Sequence, residues 1–171
     1  MKRLLLTVGL ASLVLVPSTA QGQIYVGAEG GWGDDLDWYL GGRLTADLTP
    51  QFRPVAIIGS FNYFWPEETL LREFDYWEVN INAAFMQRVY GRAADYAAAY
   101  FGLGLNIADI TITTKSTGDQ VSDTEYGMNV IGGTKYKLGR VTPFFEIGFT
   151  IWGSEQIRLT GGLDLALGEG F

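Results

Sequence analysis

From Asp75 to Leu167 the residues alternate, one set almost wholly apolar and the set between them small, polar or charged. Trp77, Val79, Ile81, Ala83 and Phe85 fall on one face of a predicted strand, with Glu78, Asn80 and Asn82 on the other. Phe145, Ile147, Phe149 and Ile151 flank Glu146, and Ile157, Leu159, Leu163, Leu165 and Leu167 flank Arg158, Thr160 and Asp164. The apolar set holds no charged member in this region. That is what a lipid-facing surface requires, because Lys or Arg at a bilayer midplane costs about 2–4 kcal/mol.

The amino terminus agrees with an exported protein. Lys2 and Arg3 precede an apolar run from Leu4 to Val16, then Pro17, Ser18, Thr19 and Ala20, which is the layout of a secretory signal cut before Gln21. The expected division is a signal peptide over residues 1–20 and one barrel domain over 21–171, since a chain of 171 residues has room for a single domain. The apolar run is shorter than the roughly 20 residues of a spanning helix, so any membrane crossing is by strands.

Charge and composition narrow the function classes. The formal net charge is −7, and removing Lys2 and Arg3 makes it more negative, so nucleic acid is not an expected partner. The chain has no Cys and no His. Without them, Ser-His and Cys-His catalysis and thiol nucleophiles are excluded, and an exported domain must be held together without disulfides. No enzymatic activity and no cofactor are expected. Asp34, Asp35 and Asp37 cluster at a predicted loop but lack the spacing, central Gly and closing Glu of a calcium loop, so no metal site is expected either.

Eight strands are predicted, near Ile24–Trp32, Trp38–Leu48, Phe52–Phe64, Asp75–Val89, Tyr96–Ile112, Thr124–Leu138, Thr142–Trp152 and Gln156–Leu167. The fold class read from them is all-β, an eight-stranded antiparallel up-and-down transmembrane β-barrel. Connections after even strands are tight or basic, as in Gly139-Arg140-Val141, and those after odd strands are more acidic, as in Lys115 to Asp123. Short turns face the periplasm in such barrels, which puts both termini there.

The chain resembles the small eight-stranded outer-membrane barrels typified by outer membrane proteins A and X and the opacity-type surface proteins. The resemblance covers Gln23–Phe171, and its most specific token is the terminal Phe171 after Leu163, Leu165 and Leu167, similar to the signal read by the barrel-assembly machinery; Glu169 departs from it. It implies outer-membrane lipid and lipopolysaccharide as surroundings, a monomer, and a non-enzymatic role in envelope integrity or surface interaction.

If the apolar set meets lipid, Glu29, Arg43, Glu78, Lys135, Glu146, Arg158 and Asp164 point into the barrel. Lys135 is expected opposite Glu146 across an Arg140-Val141 hairpin, and Glu29 opposite Arg43 around the first loop. Eight strands leave an interior just wide enough for side chains, so the expected result is a salt-bridged plug. The alternatives are a narrow pore in which an ion pair rearranges to admit water, and a soluble lipocalin-like carrier with its apolar face turned inward.

Overall fold

The computed structural model describes residues 23–34, 36–48, 54–66, 69–89, 97–153 and 155–167. The eight strands are β1 (Gln23–Gly33), β2 (Asp37–Asp47), β3 (Val55–Phe64), β4 (Arg72–Arg88), β5 (Ala97–Thr114), β6 (Gln120–Tyr136), β7 (Val141–Ile151) and β8 (Gln156–Leu167). Each pairs antiparallel with its neighbours in sequence, and β8 returns to pair with β1, so the sheet closes as a barrel. Closure gives both edges of the sheet a partner along the shared wall. Ile24 faces Leu167, which brings the first and last strands together at one end. The predicted signal peptide, Phe171 and the turns around residues 49–53 and 90–96 lie outside the described residues.

Alternation decides which way each residue points. On β5, Phe101, Leu103 and Leu105 are exposed on the outer wall while Tyr100, Gly102 and Asn106 are buried inside. The same division holds on β4, with Ile81 and Phe85 outside and Glu78, Asn80 and Asn82 inside. Leu163, Leu165 and Leu167 all point outward from β8. Leu103, Ile81 and Leu163 are 50%, 57% and 57% exposed, in a belt that carries apolar side chains on all eight strands. Such a belt exceeds the few hundred Å² of contiguous apolar surface that a water-soluble monomer tolerates.

Two registers differ from the sequence reading. Leu138 bridges to Val141 and Gly139 takes a left-handed φ of 65°, so the sixth turn is Gly139-Arg140, not Arg140-Val141. A residue in that conformation is what a two-residue hairpin demands, and Gly supplies it without a steric penalty. Every pair along β6 and β7 shifts by two as a result. Lys135 lies opposite Phe144, and Glu146 lies opposite Gly133. At the first hairpin Glu29 pairs with Gly41 and Gly27 with Arg43, again two residues away from the expected register. A shift of two preserves facing, so all four charged residues remain interior.

Strands β4, β5 and β6 also outrun their neighbours. Pairing between β4 and β5 starts at Arg72↔Thr114 and between β5 and β6 at Thr113↔Gln120, whereas β3 reaches only Phe64↔Tyr76 and β7 only Met128↔Ile151. The predicted connection Lys115 to Asp123 is therefore shorter in the structure, because Gly118, at φ 75°, and the Thr114 N–H to Asp119 carbonyl bond close the turn early. On this extension the faces exchange character. The outward set changes from Trp77, Ile107 and Tyr126 to Asp75, Glu73, Asp109, Thr111, Ser122 and Thr124, while Phe74, Ile110 and Ile112 turn toward the axis.

Candidate functional site: the barrel interior

The interior is layered along the axis. Nearest the loops, Tyr39, Phe64, Tyr76 and Ala108 form a buried apolar cap, with Leu36 and Ile110 packed against it. Its rings meet closely: Tyr39 and Phe64 centroids are 4.7 Å apart, and Phe64 and Tyr76 meet edge to face at 5.1 Å. The Tyr39 hydroxyl is hydrogen-bonded to Thr160.

Beneath the cap lies the first polar layer, centred on Glu78, which is fully buried on β4. Its carboxylate forms an ion pair with Arg158 of β8, 4% exposed, across the lumen. It also accepts from the side-chain amides of Asn62 (3.1 Å), Asn80 (3.0 Å) and Asn106 (3.1 Å). The amides continue the network, since Asn106 and Asn129 both donate to Asn80 Oδ1, and Thr150 donates to Asn129. A buried carboxylate needs such partners, because its desolvation costs several kcal/mol.

The second layer is centred on Arg43 of β2. Its Nη1 lies 3.3 Å from Glu29 and 3.1 Å from Glu146, and its Nη2 donates to the Tyr100 hydroxyl at 3.2 Å. Tyr100 in turn donates to Glu146 at 2.8 Å. The guanidinium carbon sits 4.1 Å from the Phe144 ring centroid, a cation–π geometry. Arg43 thus reaches Glu29 diagonally and links it to β7, the strand beyond β8 in the closed barrel.

At the terminal end, Ala56, Ile58, Ala84, Met86, Tyr100 and Ile131 form a second apolar cluster. Beside it, Lys135 lies 5.4 Å from the Tyr25 ring centroid, and Asp164 accepts from Thr45 at 3.5 Å. Lys135 and Glu146 are not brought together, because the turn at Gly139 sets the register and Arg43 occupies the Glu146 carboxylate.

Interior glycines make this packing possible. A methyl group on Gly133 would lie 2.6 Å from Tyr100 Cζ and Oη, and one on Gly162 would lie 2.6 Å from Phe144 Cζ. Each glycine sits directly opposite the large side chain that folds over it.

Of the seven charged positions singled out from sequence, five fall into two ion-paired groups, Glu78 with Arg158 and Arg43 with Glu29 and Glu146. Lys135 and Asp164 stand apart from them at the terminal end. Sequence reasoning missed Tyr100, Asn62, Asn106 and Asn129 as members of the network and Tyr39 as part of the cap, although all occupy inward positions on their strands. At the first loop, Asp34 accepts from the Ile157 N–H at 2.9 Å. Asp35 is outside the described residues, and among the described residues no group of three potential ligands could hold a metal ion.

Among solved structures, the chain is similar to the N-terminal β-barrel domain of OprF from Pseudomonas aeruginosa, with a TM-score of 0.64 and 15% identity over 86% of this chain and 100% of that one. The fold is that of a small outer-membrane barrel. Ail, the attachment invasion locus protein of Yersinia pestis, is similar at a TM-score of 0.61 and 15% identity, covering 85% of this chain and 97% of Ail. The neisserial surface protein NspA is similar at 0.61 and 12%, covering 84% of this chain and 96% of NspA. By sequence, no family profile and no curated protein matches the chain. What is shared with these barrels is the architecture, since the identities are far below those at which side-chain roles carry over.

Proposed function

We propose that the chain is an integral outer-membrane protein whose role is non-enzymatic, contributing to envelope integrity or surface interaction, with a lumen closed to ions. The observation that carries this reading is the pairing of an apolar belt around the outer wall, free of charge below Asp75 and Asp109, with an interior filled by two ion-paired layers between two apolar clusters. Carriage of an apolar ligand through water requires the reverse facing. In this reading the end where Ile24 faces Leu167 lies toward the periplasm and the extended β4–β5–β6 end faces outward, in keeping with short periplasmic turns and longer outer loops.

Closure follows from the geometry of eight strands, whose interior is just wide enough for side chains. An ion crossing the barrel has to displace Phe64 and Tyr76, then separate Glu78 from Arg158, then pass Arg43. The absence of His and Cys removes the usual nucleophile and base pairs, and Glu78 and Glu146 each already have a cationic partner.

Two measurements test the proposal. The full chain should be recovered from outer membranes as a species whose gel migration changes on boiling, and in planar bilayers it should give no steady conductance. A soluble periplasmic product overturns the membrane reading; steady channels overturn the closed lumen and support the narrow pore.

A further inference from the structure

A cleft of about 630 Å³ opens on the barrel wall where β7 ends. Its apolar lining comes from outward-facing residues: Phe149 on β7 lies between Val130 of β6 and Ile157 of β8, with Ile151 farther along β7 toward the loops. The loop end of the cleft carries two carboxylates, Asp34 and Glu155. Asp34 is held in place twice, its N–H donating to the Ile157 carbonyl at 3.1 Å and its Oδ1 accepting from the Ile157 N–H at 2.9 Å. No Lys or Arg is among the residues that line the cleft.

An apolar floor in the belt with a doubly negative mouth at its loop end selects one kind of occupant. An anionic headgroup meets two like charges there, and a second copy of the chain related by a two-fold axis brings its own acidic rim against this one. A cationic head with an apolar tail satisfies both parts, and the volume falls within the range of small-molecule sites. We propose that this cleft binds a single-chain amphiphile with a protonated amine head, its tail lying along β7 on Phe149, Ile151 and Ile157 and its head between Asp34 and Glu155. The proposal rests on the membrane-embedded reading above.

The test uses the full-length protein in nanodiscs of zwitterionic lipid, with a dodecylammonium probe carrying a nitroxide near its head and a dodecyl sulfate probe labelled in the same way. The ammonium probe should give saturable relaxation enhancement at the amides of Phe149 and Ile157 at concentrations that leave Leu103, on β5, unaffected. The Asp34→Asn/Glu155→Gln variant, in which Asn keeps the oxygen that accepts from Ile157, should weaken that binding about fivefold, as expected for two exposed charges. The sulfate probe should show no preference for the cleft. Equal enhancement at Leu103, unchanged binding in the variant, or the same preference for the sulfate probe overturns the proposal. Heat-dependent gel migration of the same samples reports separately on the barrel, so failure of the site and failure of the membrane reading are distinguishable.

Discussion

Replacing Arg158 by Met removes the cationic partner of Glu78 and nothing else in its immediate surroundings. Glu78 retains three amide donors, from Asn62, Asn80 and Asn106, but stays fully buried with an uncompensated charge. Breaking a buried ion pair on one side costs about 3–5 kcal/mol, and the three surviving donors place the expected loss near the lower end, at about 3 kcal/mol. Glu78→Gln alone should cost a similar amount, because it leaves the Arg158 guanidinium buried without its ion-pair partner. The double variant removes both charges while Met fills the volume and Gln still accepts from at least one amide. It should lie within about 1 kcal/mol of the parent, giving an interaction energy of several kcal/mol in a double-mutant cycle. The assay is urea unfolding in phospholipid vesicles, followed by tryptophan fluorescence and by the fraction of heat-modifiable protein on gels. A double variant whose destabilisation equals the sum of the two singles would refute the view that Glu78 and Arg158 exist for each other.

Gly133→Ala should press on both the Phe145 carbonyl and the Tyr100 ring, which donates to Glu146, and cost about 1–3 kcal/mol in the same assay, as overpacking does; a neutral result would mean that both the backbone of β7 and the ring can give way. Leu103→Arg should prevent membrane assembly, since the residue is half-exposed in the belt, whereas Gly104→Arg should fail through collision with Asn82 and the Ile81 carbonyl; assembly of Leu103→Arg at parental levels would reverse the facing assignment. Asp75→Lys and Val79→Lys lie on the same outward face of β4, four residues apart. The first should be tolerated within about 0.5 kcal/mol and the second should cost about 1–3 kcal/mol, and equal costs would place the apolar boundary elsewhere. Phe64→Ala should destabilise by about 3 kcal/mol through the cavity left in the cap while bilayer conductance stays at baseline, because the two ion-paired layers below still fill the lumen.

The closed barrel, its eight strands and the inward facing of the seven charged residues were legible because alternation of period two runs through most of the chain. Facing was not legible from polarity on β3, where Ala56, Ile58 and Phe64 turn inward beside an equally apolar outer set, nor on the β4–β5–β6 extension, where the faces exchange character. Register was not legible either, because it is set at single turn residues. The sequence shows Gly139-Arg140-Val141 but not which of them adopts the left-handed conformation, and a different choice moves Lys135 from Glu146 to Phe144. The Arg43 cluster illustrates a second limit. Glu29 and Glu146 sit on strands far apart in sequence, and their convergence on one guanidinium depends on barrel closure, not on local spacing. Asn62, Asn106 and Asn129 look like ordinary polar strand residues until closure places them around Glu78 and Asn80.

If the barrel is membrane-embedded as proposed, the exchange of faces on the β4–β5–β6 extension bears on how it sits in a bilayer. Below Trp77 and Ile107 the outer wall is apolar, and within one step along each strand it becomes Asp75 and Asp109. Sliding inward by one such step drags two carboxylates into hydrocarbon, and sliding outward lifts Trp77 and Ile107 into water. The strands therefore act as a depth gauge with a sharp mark, and in a membrane of unmatched thickness it is the lipid around this wall, rather than the protein, that has to stretch or thin.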